Sequence, residues 1–192
     1  INSQEKADYS LYYIDSRIVT AMDEDVDTQS TTPSSESGSS SDSTLTIDTP
    51  SKDGWSHPMP GSYVSFGYRE VGSKGVHKAI DFSFGRGKNN GKPVFAAHDG
   101  TVTKISDMGS CGWATVISAE GVNNIWHAYQ HMDPIVKNGD TVKRGQQIGV
   151  IGKFCGSGKH LHFSIETSNR VSSYANSGSS DTSRDPKDYL PL

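Results

Sequence analysis

Two histidines separated by one residue, His160 and His162 in the segment HLHFSIE, are the first candidates for chemistry in this sequence. Leu161, Phe163 and Ile165 alternate with them, which predicts a strand with one core face and one polar face. Both histidines then lie on the polar face, with their Cα atoms about 6.5 Å apart. One could bind a metal ion while the other reaches a water molecule on that ion. An isolated pair of this kind is equally typical of a solvated strand face.

A histidine and a carboxylate four residues apart, His77 and Asp81, strengthen the metal hypothesis. Both residue types are ligands that Zn²⁺ accepts, and three protein ligands with an open fourth position are typical of catalytic zinc. A further histidine, His131, ends another predicted strand. Metal-assisted attack of water on an amide needs a base and a group that stabilises the developing oxyanion, and His131 and His160 could supply these.

The elements that must position these residues are short and rich in β-branched and aromatic residues. From Trp55 onward such runs alternate with Gly, Asn-Gly and Asp-Gly turns about every ten residues, which predicts an all-β domain. The predicted strands are Tyr63–Phe66, Ala79–Phe84, Pro93–Ala97, Thr101–Ser106, Ala114–Ser118, Ile125–Gln130, Gln147–Gly152 and His160–Glu166.

Charge and composition divide the chain into unlike parts. Residues 1–50 hold ten acidic residues against Lys6 and Arg17, a net charge of -8, whereas the remainder holds 12 acidic and 16 basic residues, a net charge of +4. Ser and Thr occupy eleven of the fifteen positions 30–44, a composition typical of a disordered linker. We therefore expect a leader or the tail of a preceding module at 1–28, a linker at 29–53 and a folded domain at 54–192.

The same numbers exclude some classes of protein. A net charge of -4 argues against a nucleic-acid-binding protein, which is usually strongly basic. No stretch approaches the roughly 18 consecutive apolar residues of a membrane span. Because the chain begins with Ile1 rather than Met, we expect it to be part of a longer, multidomain protein.

Three motifs in order give the sequence a family resemblance. HxxxD at His77 and Asp81, YxH at Tyr129 and His131, and HLH at residues 160–162 resemble the signatures of lysostaphin-type (LytM-like) zinc endopeptidases of bacterial cell walls. The similarity extends over residues 55–192 and includes AAHDGTV at 96–102 and GDTVKRGQQIG at 139–149.

This resemblance implies a fold, a cofactor and roles for individual residues. The implied fold is an antiparallel, barrel-sandwich-like β-sheet groove walled by loops, with one Zn²⁺ per domain. The implied zinc ligands are His77, Asp81 and His162. His160 would be the general base, His131 would orient the water and polarise the tetrahedral intermediate, and Tyr129 would contact substrate or transition state close to the metal. Ala79 and Gln130 depart from the family pattern.

The remaining histidines and the two cysteines have weaker signals. His98 precedes an Asp-Gly turn and is expected at the surface, His127 is expected to be structural, and His57 receives no role. Cys111 and Cys155 lie in two Gly-rich segments. They form either a disulfide between loops or two unrelated thiols, because sequence does not give their separation.

Three functions compete on this sequence. The first is hydrolysis of peptide bonds in peptidoglycan stem peptides or cross-bridges by an extracellular or cell-wall enzyme, secreted or carried on a phage particle or conjugation apparatus. The second is a non-catalytic wall-binding or partner-binding module of the same fold. The third is a biotinyl or lipoyl carrier, suggested by the hairpin-like segment 139–149. The histidines and aspartate favour the first, since a carrier has no use for them.

Overall fold

The computed structural model describes residues 51–152, 158–171, 174–175 and 181–192, with the backbone alone at 51 and 174–175. These residues form β-strands and two short 3-10 turns, Gly109–Cys111 and Pro186–Asp188, with no α-helix in the described part. The strands are β1 Ser51–Lys52, β2 Trp55–Ser56, β3 Tyr63–Phe66, β4 Val71–Gly72, β5 Gly75–His77, β6 Ile80–Ser83, β7 Pro93–Phe95, β8 Gly100–Asp107, β9 Trp113–Ala119, β10 Trp126–Pro134, β11 Thr141–Val142, β12 Gln147–Ile151, β13 Leu161–Glu166, β14 Tyr174–Ala175 and β15 Ser183–Arg184.

One antiparallel sheet dominates the fold. Its strands run in the order β11-β8-β9-β10-β13-β6-β3, with β12 pairing to β10 and β7, and β15 pairing to β13. The β1-β2 hairpin and a three-stranded sheet, β14-β5-β4, complete the described strands. The expected all-β, antiparallel architecture is confirmed, and all eight predicted strands are present.

The central strand β13 shows why this sequence folds as it does. Leu161, Phe163 and Ile165 are fully buried and belong to the hydrophobic core, so the alternation of the sequence becomes one apolar face of the sheet. The other face carries His162 and Ser164, which are also buried. β13 is therefore covered on both faces. His162 contacts Asp81 there, whereas the buried hydroxyl of Ser164 has no hydrogen-bond partner among the described residues.

The described structure covers little of the expected leader and linker. Most of the expected linker 29–53, and all of the expected leader 1–28, lie outside them. The described structure starts with β1, where Ser51 pairs with Ser56 of β2. No helix in the described part has the length and apolar character needed to cross a membrane.

The surface position expected for His98 is wrong. His98 is 8% exposed, and its ring packs on Trp55 with the centroids 4.6 Å apart. Its Nδ1 lies 2.8 Å from the carbonyl oxygen of Asp99, so the buried ring makes a hydrogen bond to the backbone of the bend itself. The turn signal correctly marked a bend in the chain, but β2 covers that bend.

Tyr129 lies in the core rather than at a substrate groove. It is fully buried, its ring centroid is 5.2 Å from that of Phe163, and its hydroxyl oxygen accepts a 2.7 Å hydrogen bond from the backbone N–H of Ala97. The same hydroxyl lies 2.6 Å from Nδ1 of His127. Burial raises the pKa of Tyr129 well above its ordinary value, so the hydroxyl stays protonated. This burial contradicts the expectation that Tyr129 contacts substrate.

Replacing Tyr129 with Phe tests its role in the core. The change leaves the Ala97 N–H and His127 Nδ1 without their partner, so the free energy of unfolding should fall by about 1–3 kcal/mol. Tyr63, which is 56% exposed, is the matched control, and Tyr63→Phe should change stability by no more than about 0.5 kcal/mol. Urea titration measures both. A substrate-contacting tyrosine would instead lose turnover with stability unchanged.

His127 makes stability depend on pH. Burial, with a smaller contribution from His98, lowers its pKa to about 3. Because this value lies below the unfolded value of about 6.5, the stability contributed by neutral His127 is complete above pH 6.5 and is lost as the pH falls toward 3. Between pH 7.5 and 5 the loss from this residue should be about 2 kcal/mol.

The variant His127→Asn removes this titration while keeping a polar atom near the position of Nδ1. Urea unfolding of metal-free protein at pH 7.5 and pH 5 should show a smaller loss of stability on acidification in the variant than in the unsubstituted chain. Equal losses in the two proteins would show that His127 does not remain neutral in the fold.

Candidate active site

Three potential ligand atoms converge where β5, β6 and β13 meet. His162 Nδ1 lies 2.9 Å from Asp81 Oδ1 and 3.1 Å from His77 Nε2, and His77 Nε2 lies 3.3 Å from Asp81 Oδ1. All three side chains are buried. A tetrahedral zinc ion with bonds of about 2.0–2.1 Å separates its ligand atoms by about 3.3–3.4 Å, so these spacings fit one ion held by three ligands.

The register of two strands creates this arrangement. His162 of β13 is directly opposite Asp81 of β6, and residues directly opposite in an antiparallel pair face the same side of the sheet. His77 ends β5, four residues before Asp81. Its Nδ1 lies 2.9 Å from the carbonyl oxygen of Gly67. Since a carbonyl only accepts, Nδ1 carries the proton and Nε2 offers a lone pair to the site.

Asp81 is held in the ionised form that a metal ligand requires. Its burial opposes ionisation, but the hydrogen bond from His162, the contact with the His77 ring and the fields of His162 and His160 outweigh it. The net effect is a pKa well below the ordinary value of an aspartate. The carboxylate therefore needs no deprotonation before it binds a cation.

Two further histidines lie beside this ligand set. The ring centroids of His131 and His160 are 4.7 Å apart, and that of His131 is 5.9 Å from His162. His160 Nε2 lies 3.5 Å from Asp81 Oδ2. Four sequence-predicted histidines and the predicted aspartate thus meet in one site.

Backbone carbonyls fix the tautomers of both neighbouring histidines. His131 Nδ1 donates to the carbonyl oxygen of Cys111 at 2.8 Å, and His160 Nδ1 donates to that of Gly158 at 2.7 Å. Each Nε2 is therefore a lone pair that can accept a proton or a hydrogen bond. Burial, partly offset by the hydrogen bond to Cys111, lowers the pKa of His131 to about 4, so its ring is neutral near pH 7.

A β-bulge brings His131 into the site. The pairing of β10 with β9 shifts register between Gln130 and Met132, and His131 has a φ of 68°, in the left-handed region. Without the bulge, His131 would share the core face of Tyr129, two residues earlier. A bulge adds one residue and changes the direction of its side chain. Tyr129 therefore points into the core, whereas His131 points into the site.

Other predicted features have mixed outcomes. Gln130 is buried directly opposite His162 in the β10-β13 pair. Cys111 is disulfide-bonded. Cys155, its possible partner in one of the two alternatives, lies outside the described residues. The carbonyl groups of Gly67, Cys111 and Gly158 that orient the histidines were not found from the sequence, because a backbone acceptor has no residue-type signal.

A second grouping overlaps the first. His131, His160 and His162 also bring one nitrogen each to within 4.8 Å of one another. This set has three imidazoles and no carboxylate. The first set is better suited to a divalent cation because Asp81 supplies a negative charge in a buried site.

The fold and this site together describe an antiparallel β-sheet domain with a candidate metal centre. The family model of peptidase family M23 matches residues 75–174, which include all five site residues. The chain belongs to this family.

Individual relatives agree with the assignment. The peptidoglycan DD-endopeptidase ShyB of Vibrio cholerae is 38% identical over 118 residues, 59% of this chain and 23% of the relative. An uncharacterized metalloprotease of Haemophilus influenzae is 33% identical over 97 residues, 50% of this chain and 19% of the relative. The chain thus spans less than a quarter of these two curated relatives.

A solved structure matches the fold. The antimicrobial peptidase lysostaphin from Staphylococcus simulans superposes with a TM-score of 0.55 at 26% sequence identity, over 71% of this chain and 52% of that one. The expected lysostaphin-type fold is confirmed.

Metal content of purified variants separates ligands from neighbours. After dialysis against Zn²⁺ and then against buffer, the unsubstituted chain should retain about one zinc ion. The variants His77→Ala, Asp81→Ala and His162→Ala should retain almost none, because each lacks one of the three ligand atoms. His131→Ala is the matched control and should keep its zinc. Elemental analysis by mass spectrometry measures the ratio. Retention of zinc by Asp81→Ala would contradict the ligand set.

Proposed function

We propose that this chain is a zinc-dependent endopeptidase that hydrolyses peptide bonds in peptidoglycan stem peptides or cross-bridges. One observation carries the proposal: a buried His-Asp-His ligand set lies against two histidines whose Nδ1 atoms are each bound to a backbone carbonyl oxygen. Membership of peptidase family M23 and the likeness to a peptidoglycan DD-endopeptidase support this substrate class.

His77 Nε2, Asp81 Oδ1 and His162 Nδ1 would hold the ion. Two imidazole nitrogens and one carboxylate oxygen form a donor set that suits Zn²⁺ and leaves a fourth position open. When bound, zinc polarises a carbonyl group and lowers the pKa of a water molecule. The carbonyl of Gly67 holds the His77 ring in the tautomer that binding requires.

His160 is the general base in this mechanism. Its Nε2 lies 3.5 Å from Asp81 Oδ2 at the edge of the ligand set, and its ring is partly exposed, so water can reach it. It takes the proton of the attacking water and later returns it to the leaving amine. Its Nδ1–H bond to Gly158 stabilises the ring once Nε2 is protonated.

His131 orients the attacking water. It is more deeply buried than His160, and its Nε2 lone pair can accept a hydrogen bond from that water. Because the bulge fixes the His131 ring beside that of His160, one water molecule can contact both. Two acceptors on the same water leave one of its lone pairs free to attack the carbonyl carbon.

The binding-module and carrier hypotheses are weaker. A binding module has no need for a buried ionised carboxylate with two fixed histidine tautomers. A carrier has no need for this ligand set, and Lys143, the lysine of segment 139–149, is exposed but pairs with Asp99 at 3.1 Å and Glu120 at 3.4 Å.

The substrate implies where the enzyme acts. Peptidoglycan lies outside the cell membrane, so we propose action in the cell wall or its surroundings. We also propose that the chain is a part of a longer wall-lytic protein, in keeping with the small share of its curated relatives that it spans.

Digestion of purified peptidoglycan tests the function. The zinc-loaded chain should release new amino and carboxyl termini, identified by mass spectrometry. His160→Ala should lower the cleavage rate by roughly a hundredfold or more, because general-base catalysis contributes on that order, while its zinc content stays unchanged.

Two outcomes would count against the proposal. A zinc-loaded chain that binds several peptidoglycan types without releasing termini would support the binding module instead. Full cleavage by His160→Ala would remove that residue from the mechanism. Zinc content and thermal unfolding of the variant provide the control that the fold is intact.

A further inference from the structure

A cleft lined mainly by small residues and two cations lies next to the candidate active site. It has a volume of about 470 Å³, within the usual range of ligand pockets, and Asp81 and His160 form one end of it. Small residues line most of the remaining wall: Ser65, Gly72, Ser73, Ser83, Gly87 and Gly158. A Cβ atom added at Gly87 or Gly158 would meet nothing within 4 Å, so the space beside both is open.

The cleft carries a net positive charge. Its charged wall residues among those the structure describes are Asp81, Arg86 and Lys159. Asp81 Oδ1 is committed to His162 and His77 as part of the ligand set. Arg86 and Lys159 therefore give the cleft a net positive charge right beside the reacting centre.

Neither cation is neutralised within the described part of the chain. Arg86 is exposed there and makes no hydrogen bond, ion pair or ring contact with another described residue. Lys159 donates to the side-chain oxygen of Asn90, a neutral acceptor, which orients the ammonium without cancelling its charge. An unpaired guanidinium can bind a carboxylate with two parallel hydrogen bonds.

One buried side chain holds the two cationic segments together. Asn89 is 2% exposed; its amide nitrogen donates to the carbonyl oxygens of Lys159 at 2.7 Å and Gly85 at 3.1 Å, and its Oδ1 accepts from the N–H of Phe84 at 2.7 Å. The Arg86 loop is thereby tied to the segment that carries His160. The cations are positioned by the same framework as the general base, which reduces the ordering cost of binding.

We propose that this cleft is a subsite for a free carboxylate of the peptide substrate close to the scissile bond, with Arg86 as the main binding residue and Lys159 as the second. The inference rests on the proposed peptidase function and adds a specificity to it. A peptide with a free carboxylate at that position is preferred over the same peptide with a carboxamide, which offers no charge to pair with Arg86.

Matched substrates test the subsite. Soluble peptide fragments of peptidoglycan that the zinc-loaded chain cleaves are used as such and after conversion of their carboxyl groups to carboxamides with carbodiimide and ammonia. The unsubstituted chain should cleave the carboxylate form with the higher kcat/KM. In Arg86→Gln the ratio of the two kcat/KM values should fall by about tenfold, the effect expected for one charged hydrogen-bonded contact.

Lys88→Gln is the matched control. Lys88 is an exposed cation on the same loop but does not line the cleft, so its loss changes the loop's charge equally and should leave the ratio unchanged. An equal fall in both variants would show general attraction of anions rather than a subsite. An unchanged ratio in Arg86→Gln would also overturn the proposal.

The test separates this inference from the proposed function. If the unsubstituted chain cleaves both substrate forms at one rate, the peptidase function stands and the carboxylate subsite falls. If it cleaves neither form nor intact peptidoglycan, both fall. Zinc content of Arg86→Gln should equal that of the unsubstituted chain, since Arg86 is not a ligand.

Discussion

The pairing of β13 with β6 is the constraint on which the rest of the site depends. It sets His162 directly opposite Asp81, and a slip of one residue would turn either side chain to the other face of the sheet. The slip is opposed by Leu161 and Phe163, which are fully buried and alternate with His162. The hydrophobic core therefore holds the ligand geometry, and the metal site need not stabilise its own register.

Around this pair, backbone carbonyls decide what each histidine can do. The backbone carbonyl oxygens of Gly67, Cys111 and Gly158 accept hydrogen bonds from Nδ1 of His77, His131 and His160, respectively. In each ring the lone pair of the neutral tautomer is therefore on Nε2. One of these lone pairs is suited to a metal ion and two to water. Histidines thus acquire different functions through their positions alone. The bulge at His131 is the feature that brings this residue into the site beside His77 and His160.

The sequence predicted much of this arrangement, for identifiable reasons. Long alternating runs such as the one at 160–166 have a strong period-two signal, whereas β4 and β5, with two and three residues, have none. Tyr129 was expected close to the metal because the family resemblance implies it, and the sequence does not reveal that the bulge between Gln130 and Met132 turns His131, but not Tyr129, into the site. His98 was misassigned because a local turn pattern does not reveal that Trp55, more than forty residues earlier, covers it. The Arg86 cleft depends on long-range contacts of Asn89 that no local pattern contains.

The proposed function requires one zinc ion bound by His77, Asp81 and His162 rather than by the overlapping group of His131, His160 and His162. Crystals of the zinc-loaded protein, measured on both sides of the zinc absorption edge, locate the ion directly by its anomalous signal. We expect one peak within about 2.0–2.2 Å of His77 Nε2, Asp81 Oδ1 and His162 Nδ1. A peak coordinated by His131 and His160, with Asp81 unliganded, would contradict it.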